Sequence, residues 1–144
     1  MPFKFPFAAV LRVRQSIEER DKLALEHIQF EISQVTQMLE QIEAEKAKDV
    51  ETRELELTSG LPGAHVLAVE ADRQRLEQTK KQLEQQLAEL RVQRDKQLAV
   101  YQESRRKREV FSELHQQQKT AFEIAETRRE QKILDDIFIM RLQK

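Results

Sequence analysis

The side chains able to do covalent or metal chemistry are few and scattered. The chain of 144 residues holds three histidines, His27, His65 and His115, and no cysteine. No histidine has a second one four residues away, the spacing that sets two imidazoles on one helical face for a metal. The lack of cysteine removes disulfide frameworks, thiolate zinc clusters and thiol nucleophiles together. Ser16, Ser33, Ser59, Ser104 and Ser112 lack the combination of a histidine and a glycine elbow that activates a serine. No G-x-x-x-x-G-K-[ST] run is present to cradle a phosphate. Carboxylates are abundant, but they stand four residues from basic partners, as Glu77 does from Lys81 and Glu103 from Lys107. That spacing describes a solvated helix face. The residues predict no catalytic site, no metal and no cofactor.

Arg105-Arg106-Lys107-Arg108 is the one concentrated basic run. Four consecutive helical residues spread over about 300° of the helix surface, so they make no stripe that follows a groove. Glu103 and Glu109 flank them. The run reads first as a solvated collar, then as a contact for an acidic protein surface, and last as a nucleic-acid site. Phe3, Phe5 and Phe7, with only Lys4 beside them, read as a staple onto a neighbouring helix ahead of a membrane anchor. A formal charge of −1 gives no global field for nucleic acid or anionic lipid. No apolar run approaches 18 residues, and the N-terminal stretch is too short for a signal-peptide core. The expectation is a soluble cytoplasmic protein.

Composition says which elements carry these residues. Charged residues are 35% and apolar residues 39%, with two Gly, three Pro and no Trp. So few breakers, with Glu, Gln, Lys, Arg, Leu and Ala dominant, describe long helices. Thr58-Ser59-Gly60-Leu61-Pro62-Gly63 is the only strong break in the interior. Gly60 suits a helix C′ position and Pro62 cannot continue the helix. Pro6 suits the first turn of a helix. The sequence therefore predicts one all-α domain over residues 1–144, a long antiparallel two-helix coiled-coil hairpin. Helix 1 is expected over about 6–57, the turn over 58–63 and helix 2 over about 64–142.

Leu25, Ile28, Ile32, Val35, Leu39 and Ile42 alternate spacings of three and four, the pattern of a heptad seam. Upstream the seam continues as Val10, Val13 and Ile17 in a different phase, and the eleven residues from Ile17 to Ile28 imply one stutter that locally straightens the coil. In helix 2, Leu76, Leu83 and Leu90 recur every seven residues, with Leu87 between, whereas Phe111, Phe122 and Ile133 recur every eleven. The second period predicts a nearly straight path there.

The two arms are unequal. Folding about Leu61 sets residue 10 opposite roughly residue 112, leaving about 32 residues, on the order of 48 Å, without a partner in helix 1. An extended arm over residues 1–9 spans at most about 30 Å and covers about the first twenty of them. The end left bare is among the most apolar in the chain: Ile133, Leu134, Ile137, Phe138, Ile139, Met140 and Leu142. An isolated helix is marginal in water, so this end is expected to settle when a partner covers it.

The chain also resembles a known family. Phe-Lys-Phe near the N-terminus is followed by Val10-Leu11-Arg12. The turn at Gly60 precedes Leu76-Glu77, and Glu126-Thr127-Arg128-Arg129-Glu130-Gln131-Lys132 runs on to Asp135-Asp136. Together these resemble the FliJ family of flagellar type III export proteins over nearly the whole chain. The resemblance implies a non-enzymatic component of the export apparatus, cytoplasmic and peripheral at the base of the flagellum. It implies a coiled coil similar to the central stalk of rotary ATPases, which inserts into the hexameric export ATPase and promotes its assembly and activity. It also implies a link to the cytoplasmic domain of the export gate protein and to export chaperones. Carried onto this chain, Arg128, Arg129, Gln131 and Lys132 would make polar contacts in the ATPase pore, with Ile133, Ile137 and Phe138 as an apolar wedge. Leu76 and Leu83 would face the gate, although Asp72 and Thr79 interrupt that face with polar groups. The alternatives are a self-associating structural coiled coil, through Phe111, Phe122 and Ile133, and after it a nucleic-acid binder using Arg105–Arg108.

Overall fold

The computed structural model describes residues 2–60 and 63–143, and of Ala64 only the backbone. Two α-helices make up the protein, α1 over Ala8–Ser59 and α2 over Gly63–Leu142, with no strand among the described residues. They pair as the antiparallel hairpin the sequence predicts, with the second helix the longer. The boundaries shift slightly. Pro6 lies before α1, not in its first turn: Ala8 N–H donates to the Phe5 carbonyl at 3.2 Å and closes a turn ahead of the helix. At its other end α1 reaches Ser59, two residues past the expected limit. There the Thr58 and Ser59 hydroxyls donate back to the carbonyls of Glu54, Leu55 and Glu56 and hold the last turn closed. Gly60 follows with φ +72°, the left-handed C′ residue that ends a helix without a Cβ penalty. Leu61 and Pro62, the remainder of the expected break, lie outside the described residues, and α2 begins at Gly63.

Contacts divide the chain into two compact units, Met1–Asp21 with Val100–Lys144, and Lys22–Ala99. The second unit carries the apolar core. Leu25, Val35, Ile42, Leu87 and Leu90 are buried, and Ile32, Leu39 and Leu83 pack against the cluster of Val35, Leu87 and Leu90. This is the heptad seam legible in helix 1. Each large aliphatic side chain covered this way contributes roughly 1.5–3 kcal/mol, enough to hold β-branched Ile and Val in a helix at a propensity cost of tenths.

Toward the turn the same seam becomes ionic. After Ile42, the half-covered positions of α1 are Lys46, Arg53 and Glu56, at spacings of four, seven and three that keep the heptad phase. Lys46 pairs with Glu77, Glu43 with Lys80 at 2.8 Å, Arg53 with Glu70 at 3.6 Å and Glu56 with His65 at 3.2 Å. Glu77 thus looks across to the other helix and not along its own to Lys81. The hydrogen bond from Lys80 holds the Glu43 carboxyl below its ordinary pKa, and that from Lys46 does the same for Glu77. Glu43 in turn pushes the Lys80 ammonium up. Within the second unit, then, apolar burial serves the part around Val35 and charge pairing the part near Gly60.

Candidate protein-interaction site

The first unit is built differently. Its N-terminal arm lays three aromatic rings on α2. Phe7 meets Phe111 at 6.1 Å between ring centroids, Phe5 meets His115 at 4.9 Å, and Phe3 meets both His115 at 5.7 Å and Phe122 at 5.5 Å. Phe5 also packs edge-on against Phe7 at 5.9 Å. Offset and edge-on pairs of this kind add about 0.5–1.5 kcal/mol each beyond their burial. The staple reading of the phenylalanines therefore describes their contacts, and His115 is held in aromatic company.

Between α1 and α2 this unit buries polar groups. Asp21 is 5% and Ser104 8% exposed. The Ser104 hydroxyl donates to Asp21 Oδ2, and Arg20 Nε and Nη2 donate to Asp21 Oδ1 at 3.2 Å. Arg108 holds Glu18 by two hydrogen bonds, from Nε at 2.6 Å and Nη2 at 3.1 Å. This overturns the collar reading of Arg105–Arg108 for its last member. Arg108 turns inward, while Arg105 pairs with Glu109 at 2.9 Å and Arg106 with Glu103 at 3.3 Å, not Lys107 with Glu103.

The polar layers also correct the seam. Val10 and Val13 are 38% and 57% exposed, whereas Leu11, Arg14, Ile17 and Glu18 are half-covered and Asp21 is buried. Leu11, Arg14, Glu18 and Asp21 are spaced three, four and three, so α1 keeps the heptad alternation within the first unit. On α2, Tyr101, Ser104, Arg108, Phe111, His115, Gln118 and Phe122 are covered with the same alternation, and Glu109, Ser112 and Leu114 are half-covered beside them. The eleven-residue period came from counting only the apolar members, and Ile133 is not among the covered ones, being 52% exposed. A signal was available for Asp21 in its place four residues before Leu25 and seven before Ile28, a seam position whatever its polarity.

Beyond the arm, α2 is bare. Phe3 reaches Phe122, and from residue 127 to 143 every side chain is exposed. The arm therefore covers about half of what its full extension allows, because the turn at Pro6 and the ring stacking shorten it. All seven candidates for the ATPase contact fall on this bare segment. Arg129 pairs with Glu126 at 3.3 Å and Gln131 Nε2 donates to Asp135 Oδ1 at 3.2 Å. Arg128 and Lys132 are exposed. Ile133, Ile137 and Phe138 are exposed by 52%, 44% and 62%, beside Leu134, Ile139, Met140 and Leu142. At about 100° per residue, Arg129, Ile133, Ile137 and Met140 form one row. Gln131, Leu134, Phe138 and Leu142 form another, and Ile139 lies away from both. The candidates share a segment and no single face.

The two gate candidates are placed otherwise. Leu83 packs against the core of the second unit, and Leu76 is half-buried, so neither offers more than part of its surface. Among the described residues no cluster of His, Asp and Glu is fit to hold a metal, and no helix is long and apolar enough to cross a membrane.

A two-helix antiparallel coiled coil whose second helix runs on, apolar and uncovered, defines a class of helical interaction protein. The sequence matches the family described as flagellar FliJ protein over residues 3–144, essentially its whole length, and the chain belongs to the FliJ family. It is accordingly a flagellar export component, of a non-enzymatic, structural family. No curated protein and no solved structure matches the chain.

Proposed function

We propose that the chain is the stalk-like coiled coil of the flagellar export apparatus, entering the hexameric export ATPase with the bare end of α2. In this reading it promotes assembly and activity of the ring and works in the cytoplasm at the base of the flagellum. The observation that carries the reading is the exposure of residues 127–143, with apolar side chains on more than one side of the helix. A partner with a flat surface or groove covers one row and leaves the other in water. A ring surrounds the helix and covers both rows at once. Arg128, Arg129, Gln131 and Lys132, in the turns leading up to Ile133, supply polar contacts at the mouth. Ile133, Ile137 and Phe138 form the wedge.

Contact with the cytoplasmic domain of the export gate is assigned to the turn-side half around Leu76 and Leu83, through the edges those residues leave accessible. Export chaperones are the third class of partner. Residues 1–144 act in this as one functional domain.

The test is removal of residues 133–144. The shortened protein is expected to keep its helicity and melting temperature, since no cross-helix contact is lost, and to lose stimulation of ATPase ring assembly. Undiminished stimulation would sink the reading.

A further inference from the structure

The first unit covers polar side chains where more apolar ones stand one position away. Leu11, Arg14, Glu18 and Asp21 are covered on α1, while Val10 and Val13 remain 38% and 57% exposed. Ile17 is half-covered between the two sets. Neighbours in sequence lie about 100° apart around a helix, so Val10, Val13 and Ile17 make a second seam on the same turns. Apolar burial alone favours that second seam.

What holds the observed packing is polar. Ser104 donates to Asp21, Arg20 donates to the other oxygen of the same carboxylate, and Arg108 clasps Glu18 with two hydrogen bonds. Buried polar groups in a coiled coil contribute less to stability than to the choice between packings, and setting register is their best-attested use.

We propose that Glu18, Asp21, Ser104 and Arg108 form a rotational lock on the first turns of α1. Those turns have a second packing, rolled about the helix axis by about 100°, in which Val10 and Val13 are covered and the two carboxylates face water. The arm joins α1 at Ala8, so the roll lifts Phe3, Phe5 and Phe7 from Phe111, His115 and Phe122. The lock therefore decides whether the aromatic face of α2 is covered by the chain's own arm. The inference concerns the chain alone and does not depend on the ATPase reading.

The absence of native cysteine makes single introduced thiols clean reporters. Val13→Cys and Leu11→Cys are each placed in the otherwise unaltered protein and in a Ser104→Ala/Arg108→Ala background. Modification rates by a small thiol reagent are measured, with far-UV circular dichroism on the same samples. Removing the α2 side of the lock is expected to slow Val13→Cys about tenfold and to speed Leu11→Cys, because the two positions exchange cover. Unchanged rates, or faster reaction at both positions as fraying or unfolding produces, would overturn the lock. An Asp21→Leu/Ser104→Leu background keeps the observed packing by apolar means, so Val13→Cys is expected to react there as fast as in the unaltered protein. Slow reaction in that background would also overturn it.

Discussion

The guanidinium of Arg108 is 25% exposed, and hydrogen bonding to Glu18 pushes its pKa above the ordinary value. Its three basic neighbours in sequence lie at the surface. Removing the charge it serves, by Glu18→Gln, is expected to lower stability by about 1–2 kcal/mol, read as a lower urea midpoint at unchanged slope. Leu90→Ala, at a 5% exposed core position, is expected to cost about 2–4 kcal/mol in the same measurement. Phe138→Ala, at 62% exposure, is expected to stay within about 0.5 kcal/mol of the parent. Yet it should weaken capture by the ATPase ring far more than His65→Ala does, and equal capture of the two variants counts against the wedge. At this scale the sequence is readable where polarity and position agree, as at Leu25, Val35 and Leu90. It is unreadable where they disagree. Asp21 and Ser104 look like surface residues by type, and only the partner across the seam makes their burial tolerable.

Within an element, the means of holding it determines what weakens it. The turn-side stretch of the second unit is held by Glu43–Lys80, Lys46–Glu77 and Arg53–Glu70, the core stretch by Val35, Leu87 and Leu90. Exposed pairs are screened by salt and apolar burial is not. Amide exchange over residues 46–56 and 70–80 is therefore expected to accelerate in 1 M salt, roughly the level at which screening reaches about 3 Å, while residues 32–39 keep their protection. The pH dependence follows from the same pairs. The folded pKa values of Glu43 and Glu77 lie below the ordinary 4.5, so their contribution is complete above 4.5 and disappears as pH falls through the lowered values. Lys80 lies above its ordinary 10.5, so its contribution is complete below 10.5 and disappears as pH rises through the raised value. Melting temperature against pH should accordingly fall beyond both limits. A melting temperature unchanged as pH falls through the lowered carboxylate range would contradict the pairing. The helices themselves were legible because Gly60 and two long breaker-free runs leave little choice. The supposed stutter and the eleven-residue period arose because an apolar count skips Glu18, Asp21, Ser104 and Arg108.

For the molecule as a whole, the question is whether the bare end of α2 finds a second copy before it finds the ring. The stalk reading expects a monomer of 17.1 kDa whose sedimentation does not change with concentration. A stable dimer would favour the structural coiled coil. The inequality of the arms was visible from the place of Gly60 in the chain, and so was the apolar end. The reach of the arm was not, because ring stacking on His115 and the turn at Pro6 depend on contacts that length alone does not encode. The bare segment has a further consequence. Arg128, Arg129, Lys132 and Arg141 set exposed trypsin-type cleavage points on a helical segment that α1 does not cover. A cut after Arg128 removes the candidate wedge and leaves every cross-helix bond in place, so the damaged chain is expected to stay folded while losing the proposed attachment. A ring seated over the same residues shields them. On the proposed stalk reading, assembly and survival of the intact chain become one variable, and copies made in excess of the ring are the ones expected to be trimmed.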